Sequence, residues 1–114
     1  MHLEEYQKLS HKTAIYKKYV IEGNDASYIY PMLGLANEVG ELLGKIKKVN
    51  RDNNGVITEE IKENLSKEIG DILWYLSEVS TTLGFSLANI AHDNIIKLNK
   101  RQNEGKLQGS GDNR

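Results

Sequence analysis

Apolar residues recur along this chain at three- and four-residue steps, and no stretch alternates apolar with polar residues as a strand does. A first helix is predicted over 3–20 on a thin face of Leu3, Tyr6, Leu9, Thr13, Tyr16 and Val20. Residues 21–30 then read as a loop, with Gly23, Asn24 and Asp25 as its turn residues. Pro31, the single proline, suits the first turn of a second helix, where its missing N–H costs nothing. That helix repeats Leu35, Val39, Leu42, Ile46 and Val49 and ends at Asn53-Asn54-Gly55. Thr58 is a natural cap for a third helix, with Glu59 and Glu60 at its positive end and a stripe of Ile61, Leu65, Ile69, Ile72, Leu76, Val79 and Leu83. Gly84 stops it, and Ser86 caps a fourth helix to about 103 with Leu87, Ala91, Ile95 and Leu98 inward. Gly105 closes that helix. The expectation is an all-α, four-helix, bundle-like fold with an antiparallel central helix pair: one domain over 1–104 and a glycine-rich tail over 105–114.

With 114 residues there is room for one domain and a modest core, so help from a partner subunit is expected. Leu73, Trp74 and Tyr75 carry the third helix's apolar surface around its circumference, beyond a single stripe, which points to a homo-oligomer. The formal net charge of -1 gives no basic face for a nucleic acid polymer. With no cysteine, disulfides, thiolate metal sites and cysteine nucleophiles are excluded. Glu4, Glu5 and Lys8 precede no apolar run, and no stretch approaches the ~18 apolar residues of a membrane span. The chain reads as cytoplasmic, with no membrane partner.

Its candidate chemistry lies in an internal near-repeat. Residues 35–43 read LANEVGELL and residues 65–73 read LSKEIGDIL, so the pattern acid-apolar-Gly-acid occurs twice. Within each copy the two acids are three apart and share a helix face. Folding the two helices as a hairpin about Asn54-Gly55 sets Glu38 level with Asp71 and Glu41 level with Glu68. Four carboxylates beside apolar rows repel and are costly to desolvate unless a hard cation neutralises them. Mg²⁺, or Mn²⁺, suits an all-oxygen site. Gly40 and Gly70, at equivalent places in helix interiors where glycine is unfavourable, suggest a close approach of backbone or ligand.

EVGELLGKIKK, then EIGDILWYL, then NIIKLNKR resemble the all-α nucleotide pyrophosphatases of the MazG type over roughly residues 31–101. Their ExxE and ExxD motifs map here to Glu38 and Glu41, then to Glu68 and Asp71. The resemblance implies Mg²⁺-dependent hydrolysis of a nucleoside triphosphate to the monophosphate and pyrophosphate, by dimers or dimer-based tetramers. Glu38 or Glu41 is the candidate general base. A basic stripe of Asn94, Lys97 and Arg101 on the fourth helix is a candidate for holding the substrate: Lys97 and Arg101 the phosphates, Asn94 the sugar or the attacking water. Trp74, three residues after Asp71, is a candidate for stacking on the base. Lys45, four after Glu41, is placed to pair with Glu41 or Glu38. In the tail, Gly105, Gly109 and Gly111 with Lys106 and Arg114 read first as a mobile segment and second as a phosphate cradle. His2, His11 and His92 have no ligand spacing and read as surface residues. A non-catalytic helical interaction module would explain the amphipathic helices but not the doubled acidic motif, and the Glu-x-x-His motif of di-iron bundles is missing.

Overall fold

The computed structural model describes residues 1–113. Four helices carry the fold: α1 (Leu3–His11), α2 (Ile29–Asp52), α3 (Glu59–Thr82) and α4 (Leu87–Asn103). Between α1 and α2 a two-stranded hairpin pairs β1 (Val20–Ile21) with β2 (Asn24–Asp25). The most extensive packing is between α2 and α3, the central pair that the doubled stripe predicts. α1 lies on α3, while α4 packs on α1 and α3 but not on α2. Both expected caps form: Thr58 Oγ1 accepts from Ile61 N–H and Ser86 Oγ from Asn89 N–H, each at 3.2 Å. Gly55, Gly84 and Gly105 take positive φ where α2, α3 and α4 end. Among the described residues, no helix is long and apolar enough to cross a membrane.

The first helix is shorter than its pattern predicts. It stops at His11 because one local and two tertiary contacts claim the residues that follow. Thr13 Oγ1 donates to the Ser10 carbonyl at 2.6 Å and accepts from the Trp74 indole N–H at 2.8 Å. Tyr16 leaves the helical path to donate its hydroxyl to Glu78 at 2.6 Å. A thin apolar face supplies little to oppose these contacts. The predicted loop also contains order. Glu22 and Gly23 form its turn with φ of 51° and 80°, the conformation that matches strand twist in a two-residue hairpin. Asn24 and Asp25, expected in the turn, are in the strand.

Close approach occurs at a different glycine from those expected. A Cβ added at Gly40 or Gly70 would meet nothing, whereas one at Gly34 would collide with the Tyr75 ring. Gly34 is therefore the position where α2 admits an aromatic side chain of α3 against its backbone.

α4 corrects the expected inward row. Leu87 and Ala91 are half-buried, but Ile95 is 56% exposed and Leu98 37%, while Lys97 is half-buried and Arg101 buried. The helix thus turns its basic stripe in and much of its apolar row out. The whole chain shares this deficit. Among the described residues, the hydrophobic core side chains that are buried are Ala26, 3% exposed, and Val49, 7% exposed. The radius of gyration is 17.5 Å, against about 13 Å for a compact chain of this length.

Candidate metal centre

The hairpin of α2 and α3 gathers carboxylates from both helices. Glu38 and Glu41 project from α2 and Glu68 from α3, and ligand oxygens of all three lie within 4.8 Å of one another. Asp71 lies outside this group of three, though its charge acts on Glu38. The level pairing of Glu41 with Glu68 is thus reproduced as proximity, with Glu38 joining them. Lys45, one turn beyond Glu41 on α2, reaches across to Glu68 at 3.0 Å. Lys45 therefore serves the α3 acid and not its own helix neighbours.

The charges are unevenly answered. Lys45 bonds Glu68 and holds its carboxyl below the usual carboxylate range. Among the described residues, no cation pairs with Glu38. Burial, then the charges of Glu41 and Asp71, push its pKa up to about 7. Glu38 Oε2 and Glu68 Oε2 are both buried and receive no hydrogen bond from any donor. They face other carboxylates, with which a bond forms only when one of the pair holds a proton. Glu41 is more exposed and accepts from Asn37 Nδ2 at 3.3 Å. Two buried acceptor oxygens without donors, beside a third carboxylate, form an arrangement that a hard cation satisfies and that water alone satisfies poorly.

An aromatic cluster adjoins this centre. Tyr16 and Tyr30 stack at 5.2 Å, and Trp74 meets Tyr75 edge-on at 4.9 Å and Tyr16 at 6.4 Å. Tyr75 is close enough to Glu38 and Asp71 for their charges to add to burial and to Tyr30 in raising its pKa to about 12. Trp74, expected beside the acids, packs instead against Tyr75 and Tyr16, and its N–H is committed to Thr13. Its ring lines a cavity of about 340 Å³ with Thr13, Ile15, Tyr16, Lys17 and Tyr30.

The basic stripe is placed elsewhere. α4 does not pack on α2, and Lys97 and Arg101 face the tail, where both meet Asp112 Oδ1 at 3.3 and 3.5 Å. Asn94 is exposed on the same helix. Arg114 lies outside the described residues.

Sequence reasoning missed Glu78. Its side chain is fully buried, accepts from the Tyr16 hydroxyl at 2.6 Å, and has both oxygens 3.2 Å from His11 Nδ1. His11 is thus more than a surface residue: it ties α1 to α3. A signal existed, since Glu78 follows Asp71 by seven residues and so falls on the same face, amid an apolar run. It extends the acidic row into the interior, where the Tyr16 hydroxyl and His11 Nδ1 give it hydrogen-bond partners.

A hairpin of helices that presents clustered carboxylates from both partners defines an all-α acidic-site protein. The comparisons make that class specific. The model of the MazG nucleotide pyrophosphohydrolase domain matches residues 27–105, and the chain belongs to that family. It is also similar to the Gene 37 protein of Mycobacterium phage L5, with 39% identity over 114 residues and the full length of both chains. No solved structure matches the chain.

Proposed function

We propose that this protein hydrolyses a nucleoside triphosphate to the monophosphate and pyrophosphate, with Mg²⁺ (Mn²⁺ as a substitute) held by Glu38, Glu41 and Glu68 and with Asp71 as the fourth acid. The observation that carries the reading is the pair of buried, donorless oxygens on Glu38 and Glu68 beside Glu41. The bound cation supplies charge neutralisation for the polyphosphate and acidifies a water molecule.

The chain's own residues do the remaining work. Glu38 or Glu41 is the candidate base for a water proton; the pKa of about 7 at Glu38 belongs to the metal-free site, and a cation ligated there lowers it. Lys45 keeps Glu68 ionised and thereby available as a ligand. The basic stripe lies apart from the acidic centre within one chain, so Lys97 and Arg101 serve as holders of phosphate oxygens, and Asn94 as the residue that orients the sugar or the attacking water, where assembly brings α4 of one copy to the acidic hairpin of another. The Trp74 ring, with Tyr16 and Tyr30, offers an aromatic wall for a base. Exposed Ile69, Ile95 and Ile96 with the expanded shape support a homo-oligomer, dimer or dimer-based tetramer, as the working form. A cytoplasmic role in nucleotide-pool housekeeping follows from such a substrate.

The test is pyrophosphate release from a panel of ribo- and deoxynucleoside triphosphates, with Mg²⁺, with Mn²⁺ and with chelator. Release from at least one nucleotide that stops with chelator is expected. No release from any of them with either metal would refute the catalytic reading and leave a helical interaction module.

A further inference from the structure

The glycine-rich tail does not simply leave the domain. α4 ends with Lys106 N–H donating to the Arg101 carbonyl at 2.6 Å, and Gly105 takes a φ of 68°. Gly109 and Gly111, with φ of 125° and 81°, then turn the chain back in conformations that other residues rarely adopt. The return sets Asp112 on the basic stripe. Its Oδ1 lies 3.3 Å from Lys97 Nζ and 3.5 Å from Arg101 Nη2, and Arg101 Nη2 also donates to the carbonyls of Asp112 at 2.8 Å and Gly111 at 3.4 Å.

The two sides of this contact differ in exposure. The Arg101 side chain is 6% exposed and that of Asp112 83%. A buried guanidinium needs an anion or several acceptors, and here a tail carboxylate provides them. The cation is fixed on a long helix, whereas the anion arrives on an exposed segment. Lys100 and Asp93 border the same groove, whose volume is about 450 Å³. Lys97, then Arg101, hold the Asp112 carboxyl below its usual range, so it is ionised at neutral pH.

We propose that Asp112 is an internal competitor that occupies the oxyanion subsite of Lys97 and Arg101 until the polyphosphate of a nucleotide displaces it. The proposal rests on the phosphate role given above to Lys97 and Arg101. A triphosphate brings more charge and more acceptor oxygens than one carboxylate, so it wins the subsite once other contacts hold the nucleotide. The tail then acts as a threshold that weak or singly charged anions do not cross.

The experiment is calorimetric titration of the full-length protein with inorganic triphosphate, in chelator so that the acidic centre holds no metal. Parent, Asp112→Asn, Asp93→Asn and Lys97→Ala are compared. Asp112→Asn should bind about three- to tenfold more tightly than the parent, the scale of losing two partly exposed ion pairs. Asp93→Asn removes the same charge from the same groove and should change affinity little, and Lys97→Ala should weaken it. If Asp112→Asn matches the parent while Lys97→Ala weakens binding, the competitor is overturned and the phosphate subsite stands. Equal tightening by Asp112→Asn and Asp93→Asn overturns it as well, since the effect is then only the general field. If none of the substitutions alters affinity, or no chain binds triphosphate, the phosphate role of the stripe falls and the competitor with it.

Discussion

Magnesium binding should expel a proton from Glu38, in an amount that the site sets. Burial and the charges of Glu41 and Asp71 raise this carboxyl from about 4.5 to about 7. A carboxyl must lose its proton to ligate a cation. With a pKa of about 7, the metal-free site holds about 0.9 proton at pH 6, about 0.5 at pH 7 and about 0.1 at pH 8, and binding releases that fraction. Glu68 adds nothing to the count, because Lys45 already keeps it ionised. The assay is Mg²⁺ titration calorimetry in two buffers of different ionisation enthalpy, which separates proton release from binding heat. The same shift affects stability. A carboxyl whose pKa is higher in the folded than in the unfolded chain stabilises the fold below about pH 4.5 and loses that contribution as pH rises through about 7. The metal-free protein should therefore melt at a lower temperature at pH 8 than at pH 5.5, and Glu38→Gln should flatten this slope. Mg²⁺ binding at pH 6 with no proton released, or a release that survives in Glu38→Gln, would refute the placement of Glu38 in the metal site.

Glu41→Gln and Glu68→Gln should each lower nucleotide turnover at least ~100-fold while far-ultraviolet circular dichroism stays helical. Gln keeps the shape but not the ligating charge, so wild-type turnover in both would reduce the acids to a solvated helix face. Tyr16→Phe removes the 2.6 Å hydroxyl bond to Glu78 and should cost about 1.5–3 kcal/mol in urea unfolding at fixed protein concentration. Gly34→Ala should cost about 1–3 kcal/mol in the same measurement because its Cβ meets Tyr75, whereas Gly40→Ala should be neutral or gain up to ~1 kcal/mol. Light scattering at micromolar concentration should give a mass at least twice the chain's 12.9 kDa; a value near 12.9 kDa itself would show that the exposed apolar residues need no partner copy.

The parts of the fold legible in the sequence are those where one local signal is strong and uncontested. Thr58, Ser86, Gly84 and Gly105 mark helix ends through the backbone groups they satisfy or the φ they tolerate, and neither depends on distant residues. The central pair follows from two long stripes and a short connection. α1 was misread because its stripe is thin and its end is decided by Thr13, Tyr16 and their partners on α3, more than 60 residues away. The acidic site was legible as a repeat, since two copies of one spacing on adjacent helices leave few geometries. Its finer pattern was not. The choice of Lys45 for Glu68 depends on how α2 and α3 face one another, which the spacing within either helix does not specify. Gly40 and Gly70 misled for the opposite reason: they repeat with the acids, but the backbone approach falls one turn or more earlier, at Gly34.

Two deficits of the single chain have separate cures. The acidic centre has surplus negative charge in a half-buried place, and a cation removes it without any change in the helices. The apolar surface on α3 and α4 is a deficit of coverage, which no ion affects. Both are concentrated on the same elements, because α3 carries Glu68 and Asp71 on one face and Ile69 on another, 57% exposed. Residues 68 and 69 are one helical step apart, about 100° around the axis. A partner covering Ile69 would therefore border the carboxylates, exclude water from their flank and strengthen every charge interaction there. If the proposed oligomer covers this flank, it and the proposed metal site would be coupled through α3. Cover over the apolar flank would raise the cost of leaving Glu38 and Glu68 without a cation, and so would favour metal loading in an assembled form over the isolated chain.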